Sequence, residues 1–449
     1  GWAAVGAFTL QAQHAESGLR GETTGSVTAP TAAVVLNLAL QPSGNVEGSV
    51  LAQAGTPVAD VAVYARSSGL LFDRQTWTDA QGQFRFDRIA LGEVGVSAID
   101  EPTQNVATGQ TQLTSNGQNA VVNLQFPATG SIGGTVYRDG NPAPAACVEL
   151  RSVADGPVHP FHSTTADAAG LYTFAAVTPG PFLVQADACD SSRLTGLAEA
   201  TVGSNASTTA DVTLGNALPL SQRLLDSVSG YSVEVGGTGA LLPFHTETDA
   251  AHTFSGDGHV LSVGGTDFPW LGAAWSGLSG RELRLGPLGL AGLQVSRRVH
   301  VPAAGGYVRL LETLTNTGAT TLTRTLRISG TYRTFEPELL VSPAAGGGRY
   351  AVVAPPEWDN YSAGLAGQVF GGNGATLPQV RINPAQRRFE WSWNVTVAPG
   401  QTVSYLGYLV PRRFGDAIAA QQQTQRLADM VEPGMFDGLT AAEKSQIQN

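Results

Sequence analysis

Along most of the chain apolar and polar residues alternate with a period of two, in short runs broken by Gly, Pro, Asn and Asp. This is the pattern of half-buried antiparallel strands, not of helices. The plainest run is Phe389-Glu-Trp391-Ser-Trp393-Asn-Val395-Thr-Val397, with every apolar residue on one face. Trp391 and Trp393 are therefore expected in a core, and Glu390, Ser392 and Asn394 on the opposite side. A turn at Ala398-Pro399-Gly400-Gln401 leads into Thr402-Val-Ser-Tyr405-Leu-Gly-Tyr408, and the two runs read as a hairpin. Residues 311–320 and 321–328 read as a second pair of the same kind. Alternation persists across 218–412 and predicts one large β-sandwich there.

The first 214 residues carry an internal repeat. One copy opens at Gly44-Asn-Val-Glu-Gly48-Ser-Val and the next at Gly130-Ser-Ile-Gly-Gly134-Thr-Val, 86 positions later. A turn and an aromatic strand, Thr78-Asp79-Ala-Gln-Gly82-Gln-Phe84-Arg-Phe86, recur as Ala166-Asp167-Ala-Ala-Gly170-Leu-Tyr172-Thr-Phe174. Asp79 and Asp167 suit acceptors for turn amides, and Gly82 and Gly170 supply a permissive φ. Phe84 and Phe86, like Tyr172 and Phe174, stand two apart and point together into a core. Val122-Asn-Leu124 and Val212-Thr-Leu214 close the copies. Residues 1–40 match only the later half of the pattern, ending at Leu36-Asn-Leu38, so the chain is expected to open inside a repeat. Only Pro127, Ala128 and Thr129 separate the two full copies, which limits bending between them.

Past Phe414 the pattern changes. Residues 416–430 are rich in helix formers, with Asp416 placed to cap them, and Pro433-Gly434 ends the run. Thr440-Ala-Ala-Glu443 has the form of a capping box opening a second helix. The expected organisation is all-β: a partial repeat (1–40), repeats at 44–126 and 130–214, a larger sandwich (218–412), and a helical tail (416–449). That tail either docks on the sandwich or leads into another domain.

The repeats resemble the carboxypeptidase regulatory-like family, the transthyretin-like or prealbumin-like modules of secreted bacterial proteins. The carriers are Thr78 to Phe86, Gly44 to Val50, and Pro57-Val-Ala-Asp-Val-Ala-Val63. The resemblance implies small Ig-like sandwiches used as spacers, stalks or accessory folds, without an active site of their own. Residues 218–412 resemble, more distantly, the large sandwich modules of bacterial surface proteins and the supersandwich domains beside carbohydrate-active enzymes. The carriers there are Arg297-Arg298-Val-His-Val-Pro302, Gly306-Tyr-Val-Arg309 and Glu312-x-Leu-Thr-Asn316.

Composition narrows the function. A net charge of −11 gives no general grip on nucleic acid or an anionic membrane. The basic residues include a single lysine, Lys444, and no apolar stretch reaches the length of a membrane-spanning helix. Cys147 and Cys189 both fall in the last repeat, opposite Ala62 and Glu101 of the earlier one. A disulfide closing their 42-residue separation fits an oxidising compartment and contributes about 4 kcal/mol by loop entropy. Two unrelated thiols are the alternative.

Candidate chemistry is sparse. The seven histidines (His14, His159, His162, His245, His252, His259 and His300) form no metal-ligand spacing, and one aspartate per turn is too few oxygens for calcium. No nucleophile elbow, phosphate loop, HExxH helix or dinucleotide fingerprint is present. Glu357-Trp358-Asp359-Asn-Tyr361 follows Pro355-Pro356 in an expected loop. There Trp358 and Tyr361 suit stacking on a sugar ring and Asp359 suits its hydroxyls; the plainer alternative is a loop whose Trp358 covers the sandwich. The expectation is a non-enzymatic structural, spacer or adhesive segment of an extracellular or cell-surface bacterial protein. No catalytic residue, cofactor or metal is expected. Its partners would be other domains of the same longer chain and a surface polysaccharide or protein. The alternative is the non-catalytic arm of a carbohydrate-active or proteolytic enzyme.

Overall fold

The structure is a computed structural model describing residues 6–29, 34–67, 73–154, 161–242, 245–246, 258–332, 337–355, 364–372, 374–383, 385–412 and 414–449. Among the described residues the fold is all-β apart from a 3₁₀ turn and two short helices near the C-terminus.

Each full copy is a sandwich of two small sheets with the same topology. In the first, Ser43–Leu51 pairs antiparallel with Gln83–Ala90 and parallel with Asn119–Val121 and Leu124–Gln125. The facing sheet has the order Arg74–Trp77, Ala62–Ser67, Gly92–Asp100, Asn105–Leu113. Val46, Phe84, Phe86, Val94, Val96 and Leu124 fill the space between. The second copy repeats this around Gly130–Arg138 and Leu171–Val177, facing Phe161–Thr165, Cys147–Ser152, Gly180–Asp187 and Thr195–Val202. The repeated turns form as their residues dictate. Asp79 Oδ1 accepts from the amides of Gln81 and Gln83 at 2.9 and 2.8 Å. Asp167 Oδ1 does the same for Ala169 and Leu171. Gly82 and Gly170 follow at φ +71° and +74°, where a side chain would be strained.

The closing strands register differently from the sequence expectation. Val122 donates to Glu47 O and Ala210 donates to the equivalent Gly133 O, both at 2.8 Å. Val122-Asn-Leu124 thus corresponds to Ala210-Asp-Val212, two residues before the expected match. Both segments alternate, so a slip of two leaves the same faces apolar and sequence pattern alone cannot choose.

In the N-terminal part, Gly6–Gln13 pairs with Arg20–Val27. Phe8 stands opposite Gly25 as Val96 stands opposite Gly109 in the first full copy. Leu36 lies over Gly25 much as Val122 lies over Gly109. The two strands are thus arranged like Gly92–Asp100 and Asn105–Leu113 of the first full copy. Among the described residues no strand pairs with the outer edge of Gly6–Gln13, and Leu10, Val34 and Val35 stay exposed.

The facing sheet of the second copy does not end at Thr195–Val202. Ala217–Pro219 continues it, pairing with Thr195 on one side and with Ala273–Gly277 on the other. The same sheet then runs through Glu282–Leu290, Leu293–His300, Val308–Thr315, Thr402–Arg412, Leu365–Val369, Tyr350–Ala354 and Glu338–Val341, making thirteen strands. A second layer of five strands lies across it: Thr266–Asp267, Val260–Val263, Leu322–Thr331, Arg388–Val397 and Gln379–Asn383. Trp391 and Trp393 are buried between the layers and Asn394 points out.

Neither predicted hairpin forms. Arg388–Val397 pairs with Leu322–Thr331 in one layer, and Thr402–Arg412 pairs with Val308–Thr315 in the other. Residues 398–401 and 316–321 are therefore arches that cross the sandwich. An arch and a hairpin join equally alternating strands, but an arch turns both apolar faces toward each other; Trp393 and Tyr405 meet with centroids 5.0 Å apart. Fully buried Asn316 ties both arches together. Its Nδ2 donates to Thr320 O and Val397 O at 2.7 and 2.9 Å, and its backbone exchanges bonds with Gly400 and Gln401.

The tail packs on the outer face of the long sheet through the helix Ala417–Ala428, burying Ala420, Leu427 and Ala428. Asp416 makes no side-chain cap, because the chain enters that helix from the 3₁₀ turn Phe414–Asp416. Thr440 and Glu443 form the reciprocal capping box. The second helix is only Ala441–Ser445; beyond it Ile447 bridges Ser404, and Asn449 Nδ2 donates to Leu406 O and Phe370 O.

Candidate functional site

Three places bear on function: the predicted site residues, a buried charge network, and an open groove on the first full copy. Glu357, Trp358, Asp359 and Tyr361 lie outside the described residues. Cys147 and Cys189 are joined by a disulfide with Cα atoms 5.8 Å apart. Among the described residues no cluster of three or more His, Cys, Asp or Glu is placed to hold a metal ion. His259 and His300 are separately buried. Burial first, then the Arg297 charge, pushes His259 down to about 3. Burial, then Arg309, Arg281 and Arg298, pushes His300 down to about 4.

The arginine motif of the large module builds a latch. Arg297 is fully buried and grips Glu312 through Nε and Nη2 at 2.9 and 2.8 Å, while Nη1 donates to Gly239 O. Burial pushes the Glu312 carboxyl up, against the opposing pull of Arg297. Arg309, also fully buried, donates to Glu282 at 2.7 Å and to the carbonyls of Asp437 and Met435. Arg298 bridges Glu282 to Glu443 in the tail's capping box. Bidentate guanidinium contacts of this kind fix orientation. Removing either partner of a buried pair leaves an uncompensated charge. Arg298 and Arg309 join the tail to the sheet, whereas Arg297 and Glu312 pair two neighbouring strands within it.

The groove is different, because its side chains face solvent. It is open, about 560 Å³, and crosses the outer face of the sheet containing Ser43–Leu51 and Gln83–Ala90. Trp77, at the end of edge strand Arg74–Trp77, is 56% exposed, and Val121 is 64% exposed. Between them lie Gln83, Asn123 and the ion pair of Glu47 with Arg85. Asn123 Oδ1 accepts from Ser49 N and Oγ, both at 3.1 Å, which turns its Nδ2 outward. Arg85 Nε is held by Asp87 at 2.8 Å.

No known family model matches the chain, and no curated protein does. Solved bacterial surface β-sandwiches do. The minor pilin of Streptococcus agalactiae aligns at 13% identity over 38% of this chain and 95% of that one, with a TM-score of 0.27. A streptococcal ancillary pilin aligns at 12% over 47% and 76%, TM-score 0.23. The Bacillus anthracis TIE protein aligns at 10% over 65% and 48%, TM-score 0.18. At these scores no partner or chemistry passes from those proteins to this one.

The groove was missed in the sequence because each of its residues is unremarkable alone. Its signal is a difference between copies. The structural equivalents of Trp77, Glu47, Arg85, Val121 and Asn123 in the second copy are Thr165, Gly133, Thr173, Thr209 and Asp211. The cores of the two copies correspond, but this surface does not.

Proposed function

We propose that the chain is a non-enzymatic structural, spacer or adhesive segment of a bacterial extracellular multi-module protein. In this reading the modules are the partial repeat 1–40, repeats 44–126 and 130–214, the sandwich 218–412 and its tail 416–449, the repeats being of carboxypeptidase regulatory-like type. Residues Trp358, Asp359 and Tyr361 are kept as a second place to look for a ligand.

The observation that carries the reading is the seam between the second copy and the sandwich. Asn216 accepts from Leu197 N at 2.8 Å and donates back to Leu197 O at 2.9 Å. Leu183, Leu197, Ala217 and Ala273 pack together across the seam. Arg151 lies 5.3 Å from the Trp270 ring centroid, and Gly289 donates to Val153 O at 2.6 Å. A backbone ladder plus a shared apolar cluster resists bending, which suits transmission of force or position rather than turnover. Toward the first copy, Thr178 Oγ1 accepts from Val106 N at 2.8 Å and bonds Asn105 Oδ1, and Asn105 Nδ2 in turn reaches Pro127 O. The disulfide supports an oxidising compartment. NMR relaxation of the intact chain should give one rotational correlation time for 130–214 and 218–412. Independent tumbling would remove the spacer reading, and polysaccharide or peptide cleavage lost on replacing Glu357 or Asp359 would replace it with an enzyme.

A further inference from the structure

We infer that the groove on the first full copy is a binding site for an uncharged glycan, with Trp77 as its platform. The inference deepens the adhesive side of the proposed function and rests on it. An exposed indole beside exposed Val121, in a surface that also holds two side-chain amides, the Glu47–Arg85 ion pair, Ser49, Thr76 and Asp79, joins two features that carbohydrates need. The apolar C–H face of a pyranose stacks on an aromatic ring, and its equatorial hydroxyls need fixed donors and acceptors around the rim. Asn123 offers an oriented amide, since its oxygen is already committed to Ser49. Gln83 offers a second amide, and Glu47 and Arg85 offer an acceptor and a donor side by side.

Charge selects within the sugars. Arg85 is shared between Glu47 and Asp87, so the floor carries no spare positive charge to draw a sulfated or uronic-acid chain. A peptide fits less well. The groove floor is a sheet face whose backbone amides are occupied in the ladder, and its edge strand, Arg74–Trp77, is only four residues long for strand addition. The second copy supplies the internal control. It keeps the fold and core with Thr165, Gly133 and Thr173 at the equivalent places, so Trp77, Glu47 and Arg85 are not required for the repeat to fold.

The test titrates the intact chain by calorimetry and amide chemical shifts with neutral cello-, xylo-, malto-, galacto- and chito-oligosaccharides. At least one series should bind saturably and shift the amides of Trp77, Arg85 and Asn123. Trp77→Ala should weaken binding at least tenfold, Trp77→Phe should restore part of it, and Asn123→Ala should cost several-fold. Trp77→Thr, the second copy's residue, should leave the melting temperature unchanged while losing the ligand. No binding by any series at millimolar sugar overturns the site, as does binding indifferent to Trp77→Ala. The shared tumbling of 130–449 is unaffected by either outcome, so failure of the glycan site and failure of the spacer reading are told apart.

Discussion

The two full copies have the same topology and nearly the same core, yet one ends where the other continues. In the first, strand Asn105–Leu113 closes the outer edge of its sheet. In the second, the equivalent Thr195–Val202 is the entry to a thirteen-strand sheet. The difference lies in the residues after the last strand. The first copy leaves through Pro127-Ala-Thr129, which carries the chain away to a new sandwich. The second leaves through Gly215-Asn216, where Gly215 at φ +95° turns the chain back along its own edge. Ala217 then pairs with Thr195. A β-sandwich edge is a pairing surface, and the linker decides whether it is left bare or used. The N-terminal pair Gly6–Gln13 and Arg20–Val27 is a third case, whose outer edge has no partner strand among the described residues.

The largest effect that sharpens the comparison comes from the sandwich core. Trp391 is buried against Phe370, Phe389 and His259. Trp391→Ala should destabilise the large module by about 3–5 kcal/mol. Because the sheet is shared, hydrogen-exchange protection at Val184 and Leu197 should fall with it, while Val94 to Ile99 of the first copy keep theirs. Unchanged protection in the second copy would mean that the shared ladder does not transmit stability.

Much of this architecture was legible in the sequence, for a definite reason. Alternation reports which side of a strand is wet, so Phe84, Phe86, Tyr172, Phe174, Trp391 and Trp393 were correctly expected to be buried. It does not report which strand lies alongside. The pairings after Asn316 and Ala398 were read as hairpins because a hairpin and an arch have the same alternation; the choice depends on buried Asn316 reaching Val397 across the sandwich. The closing strands slipped by two for a similar reason. The continuous sheet runs through Ala217 pairing with Thr195 beside Asn216, a junction too short to show alternation. The groove around Trp77 depends on side chains brought together from separate strands.

A second, smaller effect is pH dependence. Residues 44–126 contain no histidine, whereas His259 and His300 are held neutral in the large module. A histidine whose folded pKa lies below its unfolded value of about 6.5 binds its proton more readily when unfolded. Stability is therefore complete above about pH 6.5 and is lost as pH falls toward the folded values near 4 and 3. His259 alone should contribute a loss of about 2 kcal/mol on going from pH 7 to 5. Denaturant melts monitored by exchange should show that loss in the large module and the second copy but not in 44–126. An equal loss in all three would assign the effect to carboxylates instead.

The smallest effect is the most discriminating, and it concerns Asn216. Its amide mimics a strand residue, filling both the donor and the acceptor of Leu197 where the backbone ladder between Thr195 and Ala217 is only one pair long. Leu197 is buried, so Asn216→Ala leaves its two backbone groups short of partners. The direct cost should be about 1–2 kcal/mol. Asn216→Asp keeps an acceptor for the Leu197 amide but turns a second oxygen toward the Leu197 carbonyl, so it should be no better than alanine. The coupling is the real readout. With Asn216 intact, Trp391→Ala lowers protection at Leu197; with Asn216→Ala, that transmission should shrink, and the melt of 130–449 should split into two transitions. The second copy would then behave as the first does, a closed sandwich with a bare edge. A single transition in the Asn216→Ala chain would show that the apolar cluster of Leu183, Leu197, Ala217 and Ala273 suffices to hold the seam. The difference between the copies would then rest on packing rather than on one amide.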